Sequence, residues 1–275
     1  MLTQEPRATA WSEERVSFRQ GANVSAACCP AEPATLLGPP YVLEWRQPHE
    51  PLPLRPIRGQ RRRLAQLPLQ DAPPWVPSGP AGEPFDFGEG VRRLCADIIQ
   101  RSGEFSRIDV SRILIGATQA RNGHSHGLQA RVTPLRFRSG SLTRQRRGTL
   151  YQVQRFFVDG REMLYLMTFC LPRFLDQSFD EKLITVFHEL YHISPIFDGD
   201  LRRHQGRYAI HSHSQRCYDQ HMAHLARGYL TSGADPTLHA FLRLNFAQLL
   251  RRHGSVLGVI VPRPKILPVP DVVPV

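Results

Sequence analysis

The residues of this chain most able to do chemistry together are His188, Glu189 and His192, which form the pattern His-Glu-x-x-His. Side chains four positions apart lie one above the other on a helix, so the two imidazoles can bind one metal ion. Zinc suits such ligands, and it lowers the pKa of a bound water whose proton the glutamate can take. The pattern therefore predicts a Zn²⁺ site with His188 and His192 as ligands and Glu189 as the catalytic base.

A catalytic zinc site needs a third protein ligand, and the chain offers three candidates. His211 and His213 come just before the next predicted helix, on a loop long enough to fold back over the first one. In an extended segment only one of the two can face the metal, and we favour His211. Asp198 is the third candidate, six residues after His192, but Pro195 stands where short sites with this spacing carry a glycine.

A hydrolytic site also needs a group that stabilises the negative charge developing on the substrate oxygen. Tyr208 and Arg202 are candidates for this oxyanion-stabilising role, because both lie close in sequence to the predicted ligands. Tyr191 is another candidate, although it can equally be an aromatic residue of the core. The sequence does not choose among the three.

The histidine pair needs a helix to position it, and the start of that helix is clearly marked. Ser178 followed by Glu181 is a capping box, placed just before an apolar run with helical periodicity. The pattern predicts a helix over 179–193, which Pro195 ends.

Other periodic segments predict the elements around this helix. Apolar spacing indicates a helix up to Ser102-Gly103, and a tight hairpin turn is expected at Asp159-Gly160. The predicted order of helix, strands and helices indicates an α+β fold with a small mixed or antiparallel sheet. The remaining predictions are strands over 108–115, 129–138, 150–158 and 163–170, and helices over 215–230 and 236–252.

Proline is crowded at both ends of the chain. Of its 24 prolines, 15 precede residue 85 and five lie between Pro262 and Pro274. Proline removes a backbone donor and fixes φ, so such stretches disfavour regular helix and central strand. We expect three segments: a Pro/Arg-rich N-terminal extension of low order over 1–84, an ordered domain with the site over 85–260, and a Pro-rich tail over 261–275.

The net charge of +11 comes almost entirely from arginine, which makes nucleic acid a candidate partner through the Arg-rich segments 58–63 and 136–147 and through Arg202-Arg203. The five cysteines are scattered without a CxxC pair, which fits a reducing compartment. Neither a secretory signal nor an apolar run long enough to span a bilayer is evident. We therefore expect a cytoplasmic protein with no membrane partner.

Several stretches together resemble the phage-type metallopeptidases: residues 169–175, 185–193 and 197–202, followed by His211-Ser212. More distantly they are similar to SprT-like zinc proteases, although the chain has no Cys-rich zinc ribbon. The resemblance covers about 85–230 and implies a small zincin-like core, of minigluzincin or SprT-like type, with an active-site helix. It also implies that the strand at 163–170 is an edge strand that binds an extended peptide beside the metal.

The expected function is therefore that of a zinc-dependent metallopeptidase, with Zn²⁺ as cofactor and a protein or peptide as substrate. The alternative is a basic nucleic-acid-associated factor in which the His-Glu-x-x-His site is structural or vestigial. A further interpretation treats the Pro-rich extensions as segments that dock a partner onto a metal-binding core.

Overall fold

This computed structural model describes residues 41–47, 50–51, 55–56, 82–120, 127–158, 160–203 and 215–269, with side chains at 82–120, 127–158, 160–203 and 219–269. In chain order the elements are β1 (Tyr41–Gln47), β2 (Glu50–Pro51), β3 (Arg55–Pro56), β4 (Phe85–Asp86), α1 (Phe87–Arg101), β5 (Ile113–Gln119), β6 (Ala130–Pro134), β7 (Thr143–Arg146), β8 (Thr149–Val153), β9 (Phe157–Val158), β10 (Arg161–Glu162), β11 (Tyr165–Leu171), α2 (Phe179–Tyr191), α3 (Gln215–Thr231), α4 (Pro236–His239), α5 (Phe246–His253), β12 (Val256–Ile260) and β13 (Ile266–Pro268). Runs of strands are followed by helices over these ranges, with α1 after β4 and α2 to α5 after β11.

The strand that precedes α2 in sequence lies at the centre of a three-stranded sheet. β11 pairs with β5 in parallel and with β6 in antiparallel register, giving the order β5-β11-β6. Every residue of β11 except Thr168 is buried, as is typical of a strand covered on both faces. The expectation that 163–170 forms an edge strand is therefore wrong: it is bonded on both sides, and among the described strands β5 and β6 lie at the edges of this sheet.

The central sheet separates two apolar clusters. On one face, Phe169 contacts Phe174 with ring centroids 4.7 Å apart, and Phe87 of α1 packs edge-on against Phe169 at 5.4 Å. Helix α2 joins this cluster through its buried residues Leu183, Val186, Phe187 and Leu190. Residues of the opposite face, such as Leu114 and Leu166, pack against the β8–β10 region. The site helix is thus held in the core mainly by apolar side chains.

Regular structure extends into both segments that composition assigns to extensions. Within 1–84, strand β1 pairs antiparallel with β12, and β2 and β3 pair with β1. Within 261–275, strand β13 pairs antiparallel with β8, which also pairs with β7. Each of these strands obtains its backbone partners from a distant part of the chain, which composition does not reveal.

Several local predictions are confirmed, and others are corrected. The strand expected over 150–158 is divided into β8 and β9, and the strand expected over 129–138 ends at Pro134. Helices α1, α2 and α3 and the hairpin of β9 and β10 form where the sequence places them. The helix expected over 236–252 is divided, because Leu244 is extended and Asn245 starts α5 with its own capping box to Gln248. The strand expected over 108–115 begins only at Ile113, after a single 3-10 turn at Val110–Arg112.

The described part of the chain is therefore of the α+β class, as the sequence predicts. Its residues belong to one compact unit, Pro33–Val275. Over the described ranges no helix combines the length and apolar character needed to cross a lipid bilayer.

Candidate metal centre

Helix α2 begins where its capping signal predicts. Ser178 Oγ accepts a hydrogen bond from Glu181 N at 3.3 Å, and Glu181 Oε2 accepts one from Ser178 N at 2.9 Å. This reciprocal cap satisfies two backbone donors at the start of the helix. Because the helix starts at Phe179 and ends at Tyr191, the histidine pair falls at its C-terminal end.

The rings of His188 and His192 lie against each other. Their centroids are 4.5 Å apart with an interplanar angle of 77°. His192 is the C-cap and keeps helical backbone angles, so its N–H donates to His188 O at 3.1 Å. Two Zn–N bonds of about 2.1 Å allow ligand nitrogens no more than about 4.2 Å apart. Rings whose centroids are 4.5 Å apart can turn one nitrogen each to within that distance, and both rings are only partly buried.

Glu189 lies between α2 and the edge strand β6. Its side chain is buried, and Oε2 accepts a hydrogen bond of 2.7 Å from Val132 N. Burial raises the pKa of Glu189 to about 8, although the Val132 N–H and the charge of Arg131 act in the opposite direction. A carboxyl group whose pKa lies near neutral pH is suited to accept and return a proton.

The peptide groups of β6 alternate between β11 and the outer side of the sheet. Cys170 N donates to Gln129 O at 2.8 Å and Leu135 N donates to Leu164 O at 3.0 Å, so the odd-numbered residues of this segment bond to β11. Residues between them face the other way in an antiparallel ladder. Val132 therefore presents its N–H and C=O outwards, where no further strand of the described chain pairs with β6.

The chain after α2 turns back along the end of the helix. Ser194 N donates to Asp200 O at 3.2 Å, and Arg202 N donates to His192 O at 2.7 Å. Tyr165 supports this turn from the sheet, since its hydroxyl donates to Asp200 O at 2.8 Å and accepts from Gly199 N at 2.9 Å. The turn thus brings the backbone of Arg202 to the second histidine of the pair.

Of the candidate third ligands, only Asp198 lies within the described residues. His211, His213 and the oxyanion candidate Tyr208 lie outside the described residues. Asp198 belongs to the turn, where its Oδ1 accepts from Asp200 N at 3.1 Å. Within the described ranges no three His, Cys, Asp or Glu side chains form a group able to hold a metal, so Asp198 is not brought to the histidine pair.

Arg202 and Tyr191 contact each other instead of facing open space. The Arg202 guanidinium lies 3.9 Å from the centroid of the Tyr191 ring and forms an ion pair of 2.8 Å with Glu104. The Tyr191 ring also packs edge-on against His221 of α3 at 5.3 Å. These contacts hold α2, α3 and the turn together, which is a structural role that the sequence did not distinguish from oxyanion stabilisation.

Two features of the site were not expected from the sequence. The contact between Glu189 and Val132 joins residues far apart in the chain, and no local pattern marks it. The support of the turn by Tyr165 is likewise long-range, although a tyrosine in a largely apolar strand is a signal that its hydroxyl needs a buried partner.

Comparison with known proteins adds no relative: no family model matches the chain, and neither a curated protein nor a solved structure is significantly similar to it. Any function assigned to the chain therefore depends on its residues and their geometry. The features that bear on function are the histidine pair at the end of α2, the buried carboxyl of Glu189 and the outward-facing edge of β6.

Proposed function

We propose that this chain is a zinc-dependent metallopeptidase. The observation that carries the proposal is the arrangement at the end of α2: two imidazoles 4.5 Å apart by centroid, with the carboxyl of the intervening glutamate buried against an edge strand. His188 and His192 would hold Zn²⁺ through two nitrogens, a donor type that zinc prefers. When bound there, Zn²⁺ would polarise a water molecule and lower its pKa towards neutrality.

Glu189 is the residue that moves the proton in this proposal. Its Oε2 is engaged by Val132 N–H, so we assign Oε1 to accept the proton of the attacking water and to deliver it to the departing amine. Burial raises the pKa of this carboxyl, so its ionised form is a stronger base than an exposed glutamate.

The third ligand in this proposal is His211, with His213 as the alternative. Residues 204–214 follow directly after a turn whose last residues lie next to His192, because Arg202 N donates a hydrogen bond to His192 O. At the other end of residues 204–214, helix α3 packs against α2 through the contact of His221 with Tyr191. The segment that carries the two histidines therefore leaves from beside His192 and leads into a helix that packs against α2.

The substrate of this proposal is an extended peptide that pairs with β6. The C=O of Val132 faces the outer side of the sheet, next to the carboxyl of Glu189, and can accept a hydrogen bond from a peptide N–H. Backbone pairing of this kind gives affinity with little sequence selectivity. A zincin-like topology in which the edge strand lies beside the active-site helix fits this assignment, with β6 in that position.

The proposal is tested by separating metal binding from hydrolysis. E189Q should retain as much zinc as the wild-type chain and lose hydrolysis of fluorescein-labelled casein, because a glutamine amide cannot take the proton. Equal rates of casein hydrolysis by E189Q and the wild type, at equal zinc content, would show that Glu189 is not the base.

The alternative, a basic nucleic-acid-associated factor, is favoured by one separate feature: the sheet of β7, β8 and β13, in which β7 carries Arg144 and Arg146 and no strand carries an acidic residue. In that case nucleic-acid binding would persist in E189Q, and the wild-type chain would hydrolyse no peptide. The two functions are compatible, because the sheet and the histidine pair use different residues.

A further inference from the structure

One sheet of this chain is built from segments without any acidic residue. Residues 131–158 contain seven arginines and no Asp or Glu, and residues 261–269 add Arg263 and Lys265, again without an acidic residue. These segments supply the strands of the sheet ordered β13-β8-β7. Its positive charge is therefore not balanced within its own strands.

The strand register places arginine and aromatic side chains on one face of this sheet. Arg144 and Arg146 are two residues apart on β7 and so share a face. Tyr151 of β8 pairs with Arg144 and therefore lies on that face too. Ile266 of β13 pairs with Val153, two residues after Tyr151, and extends the same face.

A cavity of about 280 Å³ opens on this face, lined by Phe137, Arg144, Arg146, Tyr151 and Ile266. We call these five residues the arginine sheet face. Its inner side is apolar, because Phe137 packs against the buried cluster that contains Val153. Both arginines are exposed at its outer side. The volume lies just below the roughly 300–1,000 Å³ of sites for drug-sized ligands, so it suits a single flat ring.

The arginines nearby differ in their exposure. Arg136 and Arg155 both form ion pairs with Glu162, at 2.7 and 2.5 Å, so their charge is locally neutralised. Arg144, Arg146 and Arg147 lie exposed on the β7–β8 hairpin, with Arg147 at its turn in the left-handed region at φ 49°. The hairpin thus extends a row of cations away from the core.

We propose that the arginine sheet face binds single-stranded nucleic acid, with Arg144 and Arg146 contacting phosphates and one base inserted into the cavity against Tyr151. Arginine suits phosphate through its planar set of donors, and an aromatic ring gives a base a surface on which to stack. An acidic peptide would use the arginines but leave the aromatic cavity unfilled. A base inside a duplex cannot enter the cavity, so the ligand is single-stranded.

The test uses the full chain and a fluorescein-labelled oligothymidylate of about 16 nucleotides, the upper site size of one binding module. R144Q/R146Q should weaken binding about tenfold, and it should reduce the salt slope by about 1.4, since each phosphate contact contributes about 0.7. The matched control is R227Q/R251Q, which removes the same charge from exposed positions on α3 and α5 and should change affinity less than about twofold.

Substitutions of Tyr151 distinguish the contribution of base stacking from that of charge. Y151F keeps the ring and should bind like the wild type, whereas Y151L should weaken binding at least about fivefold with an unchanged salt slope, because one stacked base is lost. Circular dichroism of each variant checks that the sheet is folded. The readout is binding, so the result is independent of the proposed peptidase activity.

Four results would overturn this proposal. The first is a wild-type chain that does not bind the oligonucleotide at low salt. The second is an equal loss of affinity in the control R227Q/R251Q, which would indicate only a net-charge effect. The third is displacement of the oligonucleotide by polyglutamate of equal charge. The fourth is a preference for duplex of the same length.

Discussion

The carboxyl of Glu189 accepts the N–H of Val132 at 2.7 Å, which joins the helix that carries the histidine pair to the edge strand of the central sheet. This contact fixes the carboxyl beside the outward-facing peptide groups of β6. It also gives the residue two separable properties, one structural and one chemical, which different substitutions can distinguish.

The structural property is tested by comparing E189Q with E189A. Glutamine retains an oxygen that can accept the Val132 N–H, so E189Q should be about as stable as the wild type. Alanine leaves that buried donor unpaired, so E189A should lower the free energy of unfolding by about 1–3 kcal/mol. Urea denaturation measures both values, and equal stability of the two variants would contradict the role assigned to the hydrogen bond.

Removal of the Tyr165 hydroxyl should affect both stability and metal binding. Y165F leaves Gly199 N and Asp200 O without their shared partner and should cost about 1–3 kcal/mol of folding free energy. Because the turn it supports lies beside His192, zinc affinity should also fall, by less than the roughly 10–100-fold seen when a residue bonded directly to a ligand is lost.

Y229F is the matched control for Y165F. Tyr229 also donates from a buried hydroxyl, to Asp97 Oδ2 at 2.7 Å, but it belongs to the packing of α3 on α1. It should lower the unfolding free energy by a similar amount and leave zinc affinity unchanged. If zinc affinity falls equally in both variants, the turn has no specific part in positioning the site.

Arg202 should behave as a structural residue. R202K loses the flat contact with Tyr191, and it should reduce stability while changing the rate of peptide hydrolysis per folded chain less than about tenfold. Removal of a residue that stabilises the oxyanion typically reduces that rate by about 100–1,000-fold. A loss in that range, measured well below the melting temperature of R202K, would restore Arg202 as an oxyanion residue.

The buried His239 predicts a pH dependence of stability. Burial and the charge of Arg243 lower its pKa, while Asp97 and Asp235 oppose them more weakly. In the unfolded chain a histidine takes up a proton near pH 6.5, so unfolding binds a proton that the native state resists. His239 therefore does not reduce the free energy of unfolding above about pH 6.5. As the pH falls below that value, this free energy decreases.

H239F is the variant that isolates this effect. It keeps an aromatic ring between Phe179 and Tyr229 and removes the titrating group. Denaturation at several pH values should show that the wild type loses more stability than H239F between about pH 7 and 5. Parallel curves for the two proteins would rule out His239 as a source of acid sensitivity.

Local signals in the sequence predicted the elements well where the deciding interactions are also local. The Ser178–Glu181 capping box and the spacing of the apolar residues located α2, and the Asp159-Gly160 turn located the β9–β10 hairpin. The break before α5 was missed, although Asn245 followed by Gln248 three residues later is a capping pair that the sequence contains.

Long-range pairing could not be predicted in the same way. Whether 163–170 is a central or an edge strand depends on which distant segments bond to it, and strand periodicity carries no information on that. Strand β1 was missed because of the composition around it: Tyr41–Gln47 contains no proline, but it lies between Pro40 and Pro48 in a proline-rich segment. For the site, the spacing predicted the histidine pair, whereas the Glu189–Val132 contact required the fold.

The most direct test of the zinc site is the metal content of the purified chain, measured by inductively coupled plasma mass spectrometry. The wild type and the control H224A, which changes an exposed histidine of α3, should each contain about one zinc, as expected for one catalytic site per chain. H188A and H192A should contain none, and H211A or H213A should identify the third ligand by the same loss. A wild-type chain that purifies without zinc and takes up none when it is added would contradict the account.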